Sequence, residues 1–189
     1  MLKTKSYIKP EEYLERERKT EFRSEYYNGE MFAMSGASKE HNIISTNLTW
    51  ILESQLRDKP CQVFHSNLRV KVNPSGLYTY PDIIVVCGEQ KFEDEELDTL
   101  LNPTLLIEIL SDSTEDYDRG TKFVNYRQID SLKEYVLVSQ DKIKIEKYIR
   151  QGESNWLLTE ESNSEKIIEL PSVGCFLVFK EVYRNILPA

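Results

Sequence analysis

Glycine is scarce, with seven residues in a chain of 189. None of it forms a phosphate-cradling run, which excludes a nucleotide-driven motor. There are only two histidines, His41 and His65, and no cluster with zinc spacing. The three cysteines, Cys61, Cys87 and Cys175, are widely separated, make no C-x-x-C pair and suggest no disulfide framework. That fits a reducing cytoplasm, as does the lack of an apolar signal core in Met1-Leu2-Lys3-Thr4-Lys5. No apolar run approaches membrane-spanning length, so no membrane partner is expected. Excess positive charge is also missing: 24 Lys and Arg stand against 32 Asp and Glu, a net charge of −8. This excludes a non-specific nucleic-acid coat protein. An enzyme acting on nucleic acid stays open, because a local basic patch or bound metal ions can offset acid locally. No Gly-x-Ser-x-Gly elbow surrounds Ser111 or Ser113, and residues 111–114 read as a polar loop capping the next helix.

What is present suits a soluble globular domain, 40% apolar and 30% charged. The length suggests one domain over residues 1–189, with a core at about 20–140 and a C-terminal β extension at about 141–189. A short helix starts at Pro10. Asn28-Gly29 between two extended segments signals a hairpin, with Glu30 just past the turn. Ser38 can cap a helix over 39–56 that opens with Glu40 and His41. Residues 62–72 read as one interrupted strand or two short ones, and 83–87 as a strand with two apolar faces. An acidic stretch over 88–101 reads as an exposed loop. A helix over 116–129, a strand over 134–139, a hairpin about Gln151-Gly152 and two short late strands complete the pattern. The expected fold class is α/β or α+β, a mixed sheet flanked by helices with β-hairpins added at both ends.

One strand organises the chain. In residues 104–110, Thr104, Leu106, Glu108 and Leu110 share one face, and Leu105, Ile107 and Ile109 the other. Both faces are apolar, so burial on both sides is expected. An ionised Glu108 would then lose its water at a cost of several kcal/mol or so unless a cation or proton pairs with it. Asp82, directly after Pro81, opens the preceding apolar strand, and consecutive strands are usually neighbours. Two acids that meet repel unless one is protonated or a cation lies between them. A hard divalent cation such as Mg²⁺ suits one or two carboxylates plus waters and phosphate. Lys122 lies on the following helix, within reach of the strand end. Taken by itself, Asp118 with Lys122 reads as an ordinary solvated i, i+4 pair.

Pro81-Asp82, then Glu108 in an apolar strand, then Lys122 resembles the PD-(D/E)XK nuclease superfamily, the restriction-endonuclease-like fold. The superfamily's usual lysine lies two residues after the acid, where this chain has Leu110. Some members carry it on the following helix, the position of Lys122. The match is closer to the bacterial Uma-type family, long catalogued as a domain of unknown function, whose nuclease role is inferred from its fold. Its pieces run from about Tyr13 to Val138: Asn28-Gly29-Glu30 with Met34, His41, Pro81-Asp82-Ile83, Glu108-Ile109-Leu110-Ser111 with Ser113-Thr114, Asp118 with Lys122 and Tyr126, and Glu134-Tyr135.

The resemblance implies Mg²⁺-dependent (or Mn²⁺-dependent) hydrolysis of phosphodiester bonds in DNA. Asp82, Glu108 and the Ile109 carbonyl would hold the metal, and Lys122 would position or polarise the attacking water. Glu30, Glu40 and His41 are supporting candidates, and a homodimer is implied because such nucleases often cut two strands with two subunits. The alternatives are a catalytically inactive binding or assembly module of the same fold, and a metal-dependent hydrolase of small phosphorylated molecules.

Overall fold

The computed structural model describes residues 7–111 and 114–186. Met1 to Lys5, and Asp112 and Ser113 of the polar loop, lie outside the described residues. Helix α1 (Pro10–Glu17) has proline in its first turn, where the missing N–H leaves no bond unmade. Strands β1 (Ser24–Tyr27) and β2 (Glu30–Ala33) form the hairpin. Asn28 and Gly29 between them take φ of 49° and 81°, the left-handed values a two-residue hairpin turn requires. Helix α2 (Lys39–Leu56) is capped by Ser38, whose Oγ accepts the His41 backbone N–H at 3.0 Å. Strands β3 (Cys61–His65), β4 (Arg69–Val72), β5 (Leu77–Thr79), β6 (Ile83–Cys87), β7 (Thr99–Leu100) and β8 (Leu105–Leu110) follow. The next helical stretch has three parts: α3 (Glu115–Tyr117), a π-helical turn (Asp118–Lys122) and α4 (Phe123–Tyr126). Then come β9 (Glu134–Ser139), β10 (Ile145–Gln151), β11 (Asn155–Glu161), β12 (Ile167–Leu170), β13 (Cys175–Val178) and α5 (Phe179–Val182).

The larger sheet has the order β11-β10-β9-β8-β6-β3, with β8 and β9 parallel and the other pairs antiparallel. The smaller sheet has the order β2-β1-β5-β4-β7, and β12 and β13 form a two-stranded sheet. Strand alternation divides the larger sheet's apolar residues between two cores. On one face Ile83, Val85, Leu105, Ile107 and Ile109 pack against α2, β12, β13 and α5. On the other, Ile84, Val86, Leu106 and Leu110 meet Val70, Val72, Leu77 and Leu100 of the smaller sheet, with Tyr126, Ile129 and Leu132. Helix α1 covers the outer side of the smaller sheet through Tyr13, Leu14, Tyr26 and Tyr78. Every residue of β8 is buried, Glu108 included.

Residues 62–72 are two short strands, the second of the two readings, with β3 in the larger sheet and β4 in the smaller. Three features differ from expectation. The acidic stretch over 88–101 contains β7, which runs parallel to β4 and buries Leu100. The helix expected over 116–129 ends at Tyr126 and is widened by the π-helical turn. Cys61 and Cys87 are joined by a disulfide, because the β3–β6 register sets them opposite each other. Cysteine spacing alone hides this cross-strand pair, so the cysteines no longer support a reducing compartment. Cys175 is free and buried. Among the described residues no helix is long and apolar enough to cross a membrane.

Candidate active site

The β6–β8 register pairs Ile83 with Ile107 and Ile84 with Leu106. Continuing it by one residue sets Asp82 opposite Glu108, on the face that carries Ile84 and Leu106. A bond fixes this: Ile109 N–H donates to Asp82 Oδ2 at 2.7 Å. The two acids therefore share one side of the sheet. They form the floor of a cleft of about 650 Å³, also lined by Glu25, His41, Ile109, Asp118 and Lys122.

Lys122 is the centre of the floor. Its Nζ lies 3.1 Å from Glu108 Oε1, 3.2 Å from Asp118 Oδ1 and 3.3 Å from Glu25 Oε1. The lysine and these three acids are all buried. The neighbouring hydroxyls complete the arrangement. Tyr126 OH donates to Glu108 Oε1 at 2.7 Å, Tyr117 OH donates to Glu25 Oε2 at 3.1 Å, and Thr79 Oγ1 donates to Glu25 Oε1. None of these bonds uses Glu108 Oε2. Asp118 Oδ1 is buried without a hydrogen bond of good geometry despite its closeness to Lys122. On the other side of Asp82, His41 Nε2 lies 3.1 Å from Oδ1, and His41 Nδ1 is buried without a partner.

The charges do not balance. Glu108, Asp118 and Glu25 share a single ammonium on the cleft floor, and Asp82 beside them meets His41 and the Ile109 N–H. Burial pushes the Glu108 carboxyl up to about 8; Lys122 opposes the rise, and Asp118 and Asp82 add to it. Burial likewise raises Asp118. Burial opposes the charge on Lys122, but Glu108, Glu25 and Asp118 outweigh it and hold the lysine well above its ordinary value. Lys122 thus stays an ammonium. It can stabilise negative charge and donate hydrogen bonds, but it has no lone pair with which to take a proton.

The residues singled out from the sequence fall into two groups. Asp82, Glu108, Ile109, Lys122 and His41 meet at the cleft. Glu30 lies opposite Tyr27 at the turn end of the hairpin, and Glu40 is exposed on the first turn of α2; neither lines the cleft. The hairpin does supply an acid, but it is Glu25, one residue before the buried Tyr26. Asp118 is buried rather than solvated. In a regular helix it would simply flank Lys122 one turn away. Both residues lie in the π-helical turn, where they are buried, and such turns recur at functional sites. Glu25 had one faint sign in the sequence, an acid inside a short strand otherwise rich in tyrosine.

The chain is similar to two proteins of Synechocystis sp.. It is 34% identical over 179 residues to "Uncharacterized protein slr1290" of Synechocystis sp., covering 95% of this chain and 93% of that one. It is 38% identical over 149 residues to "Uncharacterized protein sll1609" of the same organism, covering 79% and 84%. The fold is shared with a crystal structure described as a "putative nuclease belonging to DUF820" from Anabaena variabilis. The TM-score is 0.79 at 19% identity, with 95% of this chain and 99% of that one covered. The profile of the Uma2 family, described as "Putative restriction endonuclease", matches residues 10–176. With that match covering most of the chain and every residue of the cleft floor, the chain belongs to the Uma2 family.

Proposed function

We propose that the chain is a divalent-metal-dependent endonuclease that hydrolyses phosphodiester bonds in DNA, with Mg²⁺ or Mn²⁺ as cofactor. The observation that carries this reading is the excess of acid at the cleft floor, where Glu25, Glu108 and Asp118 share one buried ammonium and Asp82 stands beside Glu108. Such a group is stable only with protons or a further cation. Among the described residues no three His, Cys, Asp or Glu side chains form a ready-made metal cage. Mg²⁺ does not need one, since it binds through one or two carboxylates, waters and substrate phosphate. The donor set therefore fits. Asp82 and Glu108, aided by the Ile109 carbonyl, would hold the ion. When bound, such an ion polarises a phosphoryl oxygen and lowers the pKa of a coordinated water.

The chain's own residues do the rest. The Ile109 N–H and His41 fix both oxygens of Asp82. Tyr126 and Lys122 hold Glu108 Oε1. Lys122, permanently charged, stabilises negative charge developing on the phosphoryl group and orients a water by donating to it.

One feature of the cleft favours the non-catalytic binding module: among the described residues its lining holds Glu21, Glu25, Asp82, Glu108 and Asp118 against Arg23 and Lys122. A hydrolase of small phosphorylated molecules fits less well, because the exposed residues 32–38 leave the mouth open. A cytoplasmic location and a homodimer go with the nuclease reading. Thiol titration of the Cys61–Cys87 pair in freshly lysed cells tests the first, and analytical ultracentrifugation the second. The decisive experiment incubates wild-type and Asp82→Ala protein with DNA and Mg²⁺ or Mn²⁺. Cleavage that chelation stops and the variant lacks is expected. No cleavage by wild type, or equal cleavage by both, defeats the reading.

A further inference from the structure

The mouth of the cleft carries exposed aromatic surface. Phe22 is 79% exposed, Phe32 48% and Met34 38%, and all three line the cleft. The hairpin register explains how they reach it. Phe32 is paired with Glu25, so their side chains leave the same face of the hairpin, one into the acidic floor and the other at the rim. Met34 follows Phe32 by two residues, and its N–H donates to the Arg23 carbonyl at 2.9 Å, which keeps Phe22 and Arg23 beside it. The chain beyond the hairpin, Ser35-Gly36-Ala37-Ser38, is small and exposed and leaves the rings unobstructed. Gly36 has nothing within 4 Å of where a Cβ would stand.

A duplex offers this rim little. Its base faces are hidden in the stack, and its affinity comes from phosphates neutralised by Lys and Arg. Among the described residues the cleft's Lys and Arg are Lys122, already surrounded by acids, and Arg23. Arg23 is held by the Ser66 carbonyl at 2.9 Å and lies over the Tyr80 ring. An unpaired nucleotide is the better match. Its base has a free π face for a phenylalanine, its sequence hardly matters to stacking, and only one or two phosphates need a cation.

Resting on the nuclease reading, we propose that Phe22 and Phe32 form a stacking platform for an unpaired base next to the phosphate held at the Asp82–Glu108 floor. The substrate class is then single-stranded DNA or DNA with an unpaired segment, such as an overhang or flap.

The test uses the full chain with Ca²⁺ in place of Mg²⁺ and an oligonucleotide carrying 2-aminopurine, either single-stranded or fully paired. The expected result is a fluorescence change on binding the single strand and affinity about tenfold or more above that for the duplex. The log–log salt slope should be shallow, about −1, as for one or so phosphate contacts. Phe22→Ala and Phe32→Ala should each lower single-strand affinity by about fivefold to a hundredfold, and Phe32→Trp should retain it. Equal or tighter duplex binding overturns the proposal, as do alanine variants that bind the single strand normally. So does an effect of those variants on self-association alone, which would make the rim a contact between two copies. Oligonucleotide binding by Asp82→Ala separates this from the hydrolytic reading, because the platform survives a protein that never cleaves.

Discussion

Lys122 and Glu108 are 3.1 Å apart in a buried setting, yet their removal should have opposite consequences. Lys122→Met leaves Glu108, Glu25 and Asp118 without their shared cation. Removing one partner of a buried pair typically costs about 3–5 kcal/mol, and urea unfolding in chelator should show a loss of that order. Glu108→Gln removes a carboxylate whose charge burial disfavours, and the amide still accepts from Tyr126. Its metal-free stability should equal or exceed wild type, while cleavage disappears. A Glu108→Gln protein as unstable as Lys122→Met would mean that the acid serves packing rather than chemistry. Glu108 was legible in the sequence because an acid within an unbroken apolar strand has no bland place to go. Lys122 was only half legible: its spacing from Asp118 also describes a surface ion pair, and only the fold shows both to be buried. Glu25 left only a faint sign, because a four-residue strand cannot show which face the rest of the protein will cover.

Among the elements, the acidic stretch over 88–101 was misread because net charge hides what single residues do. Asp98, at its end, is bound by two arginines from separate elements. Arg18, at the C-terminal end of α1, donates from Nε at 2.8 Å, and the buried Arg69 of β4 pairs with the same carboxylate. Arg69 is held in turn by Thr99 Oγ1 at 3.1 Å and Tyr80 OH at 3.0 Å. The latch thus ties α1, β4 and β7 together across the smaller sheet. Partial burial of Asp98 raises its carboxyl, but the bonds from Arg18 and Arg69 outweigh this and hold it well below the ordinary 3.8. A depressed value in the folded state means that stability is fully present above the unfolded value and is lost as pH falls below it. Urea midpoints measured between pH 6 and pH 2 should show Asp98→Asn less stable than wild type at pH 6. The gap should narrow as pH drops below about 4. A gap that stays constant across that range would mean that the arginines do not depend on the charge of Asp98. Hairpins and capped helices were read well because Asn-Gly, Ser38 and Pro10 act locally. β7 has only two residues, and its pairing with the distant β4 leaves no periodic trace.

At the scale of the whole molecule, the question is whether the segment past residue 140 is an addition to a self-sufficient core. Strands β10 and β11 continue the larger sheet beyond β9. The segment after them closes the α2 side of that sheet: Leu170, Leu177, Phe179 and Val182 are buried in the same cluster as Ile44, Leu48, Ile83 and Ile107. Polar bonds join the same parts, with Asn47 Nδ2 donating to the Val182 and Arg184 carbonyls at 3.0 Å each. Removing a large buried side chain costs about 2–5 kcal/mol, and four such losses reach or pass the roughly 5–15 kcal/mol that holds a domain folded. A chain ending at residue 162 is therefore expected to lack a cooperative urea transition by circular dichroism, even though it keeps Asp82, Glu108 and Lys122. It should also fail in any cleavage or oligonucleotide assay for that reason alone. If the shortened chain instead unfolds cooperatively near the full-length midpoint, the cleft stands on residues up to 162, and β12, β13 and α5 are an appendage free to serve another purpose.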